Sequence, residues 1–295
     1  MTYYSTLHKI VVHSPGSLEE ALRILDERRG VKIVAGGTDL LVQIRGGVIE
    51  GKELLNIYGL DELRYIKVDG NRLRVGALTT FSEIAESELV KRYASILAEA
   101  AGSVGSPQIR FKGTLGGNIC NASPSGDSIP ALYALDARLV LQSINGRREV
   151  PIERFFKGYK VLDLRENELL TEINLPLMAE DEDGVFLKFS LRLGDAISVV
   201  NTAIWVKRSG PNRFSDARVA LGAVAPTIVR ARKCEDIVKS GELDEDRMWD
   251  AAEAVLESIS PITDIRGSAE YRRELAVNLV YKALWELTHR GRMNP

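Results

Sequence analysis

Two glycine pairs are the groups in this chain best suited to chemistry. The first lies in Ile33-Val34-Ala35-Gly36-Gly37-Thr38-Asp39-Leu40, directly after a short apolar run. Paired glycines after a strand permit positive φ and close backbone approach. Their N–H groups can then face a phosphate, helped by the N-terminus of a following helix. Thr38 adds a hydroxyl donor. A ligand-free strand-to-helix turn uses the same residue types. The second pair lies in Thr114-Leu115-Gly116-Gly117-Asn118 and continues through Ala122-Ser-Pro-Ser-Gly-Asp127. Asp127 offers a carboxylate that could accept from a hydroxyl or a ring N–H. Leu115 and Ile119 can anchor the segment apolar-side down. A surface loop of turn formers would read the same way. Two such loops in one chain point toward a dinucleotide. Neither matches the Rossmann or P-loop fingerprint, so those mechanisms do not apply.

What the chain lacks narrows the chemistry further. Its three histidines are His8, His13 and His289, and none lies between Ser14 and Thr288. Imidazole is therefore removed as a general base over most of the chain. Chemistry here would fall to a cofactor. Cys120 and Cys234 are the two cysteines, far apart and outside any CxxC or Cys/His cluster. Such spacing predicts no disulfide framework and no metal or iron–sulfur site built by this chain alone. Cys120 reads as an inert core thiol. His13 reads as structural or surface, and Trp205 as core. The pairs Arg28-Arg29 and Arg272-Arg273 read as solvated helix faces or partner contacts.

The elements that must position the loops are legible by pattern. Ser17-Leu-Glu-Glu20 is a capping box. The helix it opens carries Leu18, Ala21, Leu22 and Leu25 on one face, and Gly30 ends it. Val31–Ala35 reads as a buried strand running into the first glycine pair. Strands are predicted over Glu53–Ile57 and Arg72–Gly76. Thr80 with Glu83 forms a second capping box, and Leu89–Ala101 has helical spacing. Residues 102–126 read as a glycine-rich segment. Asn145-Gly146 predicts a hairpin between Arg138–Gln142 and Arg148–Ile152. Leu169–Leu175 is a strand that Pro176 closes. The acidic run Ala179-Glu-Asp-Glu-Asp-Gly184 reads as a domain boundary. Beyond it, Val185–Arg192, Ser198–Arg208 and Asp216–Val224 read as an antiparallel meander. Helices follow over about Pro226–Lys239, Asp244–Glu257 and Ala269–His289. Strands then helices read as an α+β domain.

The bulk numbers exclude several classes. The chain has 295 residues, 45% hydrophobic and 27% charged, which is ordinary globular composition. With 39 Lys and Arg against 41 Asp and Glu, the formal charge is −2. That balance gives no reason to expect nucleic acid or an anionic membrane as partner. The N-terminus lacks the apolar core of a signal peptide. No run of apolar residues is long enough to span a bilayer. The expectation is a soluble, cytoplasmic protein with no membrane partner.

The stretches AGGTDLL (35–41) and TLGGNICNASPSGD (114–127) together resemble the FAD-binding, or medium, subunit of the molybdenum hydroxylases. That is the family of xanthine dehydrogenase, carbon monoxide dehydrogenase and aldehyde oxidoreductases. The segment PITDIRGSAEYR (261–272) also resembles the family's closing domain, so the likeness covers essentially the whole chain. It implies an α+β fold: a two-part FAD-binding domain of the vanillyl-alcohol oxidase type, then a three-stranded antiparallel sheet with helices. The expected domains are 1–178, with subdomains of about 1–58 and 59–178, and 184–295.

The resemblance also implies roles. Residues 33–40 would grip the diphosphate, with Thr114, Leu115, Gly116, Gly117 and Asn118 as the second loop. Asp127 would be the family's carboxylate. Leu170 would pack on the flavin ring, as would Val104, where some relatives have an aromatic residue. Lys188 would sit near the pyrimidine edge as a cation and stabilise the reduced ring. FAD would be bound non-covalently, since the relatives that tether it use His or Cys in these loops and neither glycine loop contains His. A molybdenum cofactor on a large subunit and 2Fe-2S clusters on a small subunit would complete the complex. Electrons would reach FAD here and pass to an external acceptor. Two alternatives remain open at this level. One is a stand-alone FAD oxidoreductase of the vanillyl-alcohol oxidase type. The other is a non-enzymatic assembly protein of the same fold.

Overall fold

The computed structural model describes residues 10–48 and 53–290; His8 lies outside the described residues. The chain opens with a small parallel sheet. Glu53–Asn56 is its central strand, flanked by Val11–His13 and Lys32–Val34. The helix Leu18–Glu27 makes the crossover and buries Ala21, Leu22 and Leu25. Ser17 caps it by accepting from the Glu20 N–H. The reciprocal half of the expected capping box is displaced by one residue, because the Glu20 carboxylate accepts from the Gly16 N–H at 2.7 Å instead.

A five-stranded antiparallel sheet follows in the order Ile66–Asp69, Arg72–Gly76, Leu169–Pro176, Arg138–Ser143, Gly146–Pro151. The Asn145-Gly146 hairpin forms where its turn chemistry places it, with Gly146 at φ +136°. Short helices between residues 81 and 134 cover this sheet. The predicted helix over 89–101 is two, Glu88–Tyr93 and Ser95–Gly102, broken at Ala94. Residues 102–126 are not one loop. They fold into the helices Pro107–Lys112 and Leu115–Asn121, each N-capped by a hydroxyl, from Ser106 and Thr114.

The third sheet is antiparallel: Glu182–Ser190, Ser198–Gly210, Arg213–Gly222 and a two-residue fourth strand, Val229–Arg230. The sequence pattern shows only three strands, because Val229–Arg230 is too short to display a period. Its pairing delays the next helix, expected from Pro226, to Arg232–Lys239. Helices Glu245–Glu253 and Ala269–His289 complete the layer. The acidic run is not wholly a connection, since the third sheet already begins at Glu182.

One apolar core crosses between the second and third sheets. It joins Leu73, Leu97, Leu132 and Ile173 to Phe186, Ala203, Trp205 and Ala220. Ion pairs reinforce the junction: Arg230 bridges Glu153 at 2.6 Å and Glu235 at 2.5 Å. Arg272 departs from the expected solvated face. It is 3% exposed and donates to the Val199 and Ala223 carbonyls and to Asp264. Burial on that face of the final helix is set by the sheet packed against it, which the helix's own pattern does not reveal. No helix among the described residues is long and apolar enough to cross a membrane.

Candidate functional site

A groove of about 470 Å³ runs between the first glycine turn, the Thr114 helix and the second sheet. That volume lies within the range of small-molecule sites, roughly 300–1,000 Å³. The first turn supplies Ile33, Ala35, Gly36, Gly37, Thr38, Asp39 and Leu40 to its wall, while Val34 is buried behind them. Among the described residues, the backbone N–H groups of residues 36–40 donate to no other group. These residues are part-exposed at the start of a helix, where N–H groups lack intrahelical partners, and a run of such donors along a groove is the arrangement that an anion-binding turn requires.

The local sequence dictates this shape. Gly37 has φ +71°, a conformation that suits glycine. A Cβ on Gly36 would stand 1.8 Å from the Lys112 carbonyl oxygen, so only glycine lets the turn lie against that stretch of backbone. The helix Leu40–Arg45 starts immediately after, and Asp39 leaves its N-terminal amides uncapped by its side chain. The Asp39 carboxylate instead accepts from the Gln43 side chain.

The second glycine pair has a different job from the one its sequence suggests. It forms the first turn of the helix Leu115–Asn121 rather than a loop. Its donors are already used: Gly116 N–H to Ala77 O at 2.9 Å, Gly117 N–H to Thr114 Oγ at 3.1 Å, and Asn118 N–H to Thr114 O at 3.0 Å. These glycines serve packing. A Cβ on Gly116 would meet Ala77 Cβ at 2.7 Å and Ala77 O at 2.8 Å. Thr114, Gly116, Gly117 and Asn118 all line the groove, whereas Leu115 is fully buried beneath them. Asn118 Oδ1 accepts from Ser128 Oγ at 2.8 Å, which turns the side-chain N–H₂ of Asn118 away from that bond.

The apolar part of the wall carries Val104 and Leu170, joined by Leu78, Phe81, Ile109 and Leu169. A register shift between Leu170 and Glu172 re-aims the strand at this point. Sequence reasoning missed Lys32 and Lys160, which also line the groove. Lys160 sits at φ +54° and reaches Asn121 at 3.4 Å. No motif marks either lysine; only the fold brings them to the turn. Cys120 lines the groove as well, and burial in apolar surroundings pushes its thiol up to about 12. The thiolate, which is the nucleophilic form, is disfavoured there.

Asp127 and Lys188 do not line the groove. The resemblance implies a lysine cation near a ring edge at Lys188, which already has three acceptors. Its ammonium donates to Asp127 Oδ2 at 2.6 Å, Ala196 O at 2.8 Å and Ser103 O at 3.0 Å. Those three bonds exhaust its donors. Among the described residues no cluster of His, Cys, Asp and Glu could hold a metal ion.

A run of unpaired amides after a parallel strand, an aliphatic wall and flanking lysines are features that a dinucleotide-binding unit would use, and this unit packs against an antiparallel α+β unit. Comparison with known proteins makes the class specific. Residues 7–178 match the family described as "FAD binding domain in molybdopterin dehydrogenase", and residues 186–287 match "CO dehydrogenase flavoprotein C-terminal domain". The chain is 35% identical over 271 residues to the glyceraldehyde dehydrogenase medium chain of Sulfolobus acidocaldarius, covering 92% of this chain and 95% of that one. It is 32% identical over 277 residues to the xanthine dehydrogenase FAD-binding subunit of Escherichia coli, covering 93% and 94%. Among solved structures it superposes on a carbon monoxide dehydrogenase from Hydrogenophaga pseudoflava lacking the Mo-pyranopterin moiety. The TM-score is 0.90 at 32% identity, covering 94% of this chain and 96% of that one. The chain belongs to the FAD-binding subunits of the molybdenum hydroxylases: it is the flavoprotein, electron-transfer component of a multi-subunit oxidoreductase.

Proposed function

We propose that FAD lies non-covalently in this groove, with its diphosphate on the free amides of residues 36–40. The observation that carries the reading is that run of five unpartnered donors beside a position where any Cβ would collide with backbone. Thr38, Lys32 and Lys160 add donors and positive charge for the same anion. Asn118 offers its amide along the opposite wall. Val104 and Leu170 supply apolar surface for a ring and keep water from it. The protonated Cys120 thiol is a poor nucleophile, which favours non-covalent binding.

When bound, FAD supplies one- and two-electron chemistry, and this chain positions it and tunes its surroundings. The absence of histidine from residues 14–288 fits that division of labour. In this reading a small subunit with 2Fe-2S clusters delivers electrons, and an external acceptor removes them. Substrate is oxidised at a molybdenum cofactor on a large subunit. The expected division at 1–178 and 184–295 has the support of the two family spans, with the C-terminal domain opening two residues earlier, at Glu182, where its first strand begins. The parallel opening sheet followed by a mixed helix-and-sheet unit suits the vanillyl-alcohol oxidase type of FAD domain. Two free thiols suit a reducing cytoplasm.

The test is purification from the native host under gentle conditions. We expect co-purification with a larger and a smaller chain carrying molybdenum and iron, and yellow flavin released intact on denaturation. A colourless chain that takes up no added FAD would sink the reading.

A further inference from the structure

A further cavity lies within the C-terminal domain and shares no residue with the groove. Its volume is about 240 Å³. That is below the range of small-molecule sites, roughly 300–1,000 Å³, and suits a single side chain. Leu243, Met248 and Thr288 form a buried floor. Tyr281, Trp285 and His289 form one wall, a turn apart along the final helix. Trp249 extends this aromatic surface by stacking on Tyr281, with ring centroids 4.1 Å apart, and His289 stacks on Trp285 at 4.3 Å. Both indoles are held in place by their stacks yet remain 38% exposed. Rigid aromatic rings open to water are the anchors that binding surfaces use.

The facing wall is acidic. Asp244 and Glu245 line the cavity where the helix Glu245–Glu253 begins. Residues 242–253 hold six acidic side chains and one basic one, Arg247. Arg247 lies against Gly241, where an added Cβ would meet its Nη1 at 2.6 Å, and does not line the cavity. Glu242 is paired with Arg213 at 3.2 Å. Asp244 Oδ1 accepts from the Arg247 N–H at 2.9 Å, and Glu245 Oε1 accepts from the Tyr281 hydroxyl at 3.4 Å. Among the described residues the second oxygen of each carboxylate has no partner, and neither carboxylate meets a cation. The cavity also sits against the last turn of the final helix, the negative end of its dipole. The positive end of the shorter helix opposes this, but Asp244, Glu245 and Asp246 in its cap and first turn outweigh a partial charge.

Aromatic faces beside unpaired carboxylates select a cation. A planar guanidinium suits both walls at once, since it stacks on an indole face and presents a fork of donors to carboxylates. We propose that this cavity is a docking site for an arginine side chain of a second polypeptide chain. The guanidinium faces Trp285 and the carboxylates of Asp244 and Glu245, and its aliphatic stem covers the apolar floor. Arginine, tryptophan and tyrosine dominate binding energy at protein interfaces, and they do so in small, well-packed pockets. The inference is independent of the FAD reading, because the two sites share no residue.

The test titrates the isotope-labelled full chain with the peptide acetyl-Gly-Arg-Gly-amide and follows the indole N–H signals of its three tryptophans by NMR. The Trp285 signal should move and saturate with a dissociation constant of roughly 1 mM, while that of the buried Trp205 stays still. The matching citrulline peptide keeps the shape without the charge and should bind about tenfold more weakly. The double variant Asp244→Asn with Glu245→Gln removes both charges, and asparagine still caps the helix. It should melt close to wild type and bind the arginine peptide about tenfold more weakly. Glu245→Gln alone, at an exposed position, gives the same reading with a smaller loss if the double variant folds poorly. A Trp285 signal that stays still up to roughly 10 mM peptide would overturn the proposal. So would equal binding of the citrulline peptide, or unchanged affinity in the folded charge-free variants. Tighter binding of agmatine than of the peptide would make this a small-molecule site and overturn the polypeptide occupant. A Trp285 signal that moves in Arg292→Gln without peptide, with tighter peptide binding, would assign the cavity to the chain's own arginine and overturn it equally.

Discussion

Replacing Gly36 with alanine should abolish cofactor binding more than it damages the fold. The added Cβ would lie 1.8 Å from Lys112 O and 2.6 Å from Lys112 C, both backbone atoms that no rotamer change can move. Carbon contacts settle near 3.5 Å, so roughly 1.7 Å must be found by separating the turn from residues 112–113. A hydrogen bond of about 2.9 Å stretched by that much is no longer one. Overpacking of this kind costs about 1–3 kcal/mol of stability. Loss of two charge-assisted bonds to the diphosphate costs a further 3–6 kcal/mol of binding, at about 1.5–3 kcal/mol each. The dissociation constant should rise by roughly 10²- to 10⁴-fold. The assay is titration of apoprotein with FAD, followed by quenching of flavin fluorescence, with far-UV dichroism to verify folding. Gly59→Ala is the control, because nothing lies within 4 Å of the added Cβ. A folded Gly36→Ala protein that binds FAD within a factor of about three of wild type would refute the argument that these amides hold the diphosphate.

Two further outcomes concern titrating groups. The Arg148 guanidinium holds the Glu168 carboxyl below its usual range despite partial burial. For Glu172, burial pushes upward, but bonds from Tyr65 and Arg74 outweigh it. Groups with lowered folded-state pKa add stability that is present above their unfolded value, about 4.3, and is lost as pH falls through the folded value. Urea midpoints should therefore be flat near neutrality and fall on acidification. Glu168→Gln should start about 1.5–3 kcal/mol lower and lose less on acidification; an equally steep acid limb in that variant would count against the assignment. The Cys120 thiol, pushed up to about 12, should resist iodoacetamide near pH 8 in the folded protein and react once the chain is unfolded in urea. Labelling of native Cys120 at the rate of the unfolded chain would contradict its assigned environment.

Features governed by near neighbours in the chain are readable from sequence. The Thr80–Glu83 capping box forms with both of its bonds. The Asn145-Gly146 hairpin and the long helix Ala269–His289 also need only local pattern. What escaped depends on contacts across the chain. Gly116 is glycine because of Ala77, thirty-nine residues earlier, so its sequence neighbourhood suggests a loop where a helix packs. The bonds of Lys188 to Asp127 and to two carbonyls depend on the register with Asn201 and on the approach of a residue sixty-one positions earlier, which no local pattern shows. Lys160 belongs to no motif and enters the groove only through the fold. The first glycine pair was legible because its chemistry is its own backbone.

That last property has a wider consequence. A cradle of main-chain amides has no side chain to titrate, oxidise or exchange. Its hold on an anion should persist across any pH at which the chain stays folded. It is also almost silent to substitution: Thr38, Asp39 and Leu40 can change type and still present the same N–H groups, whereas the two glycines cannot. Changes at those three positions should therefore weaken an anion's hold less than a change at Gly36 or Gly37, and the information that fixes the turn is carried by an absence of atoms.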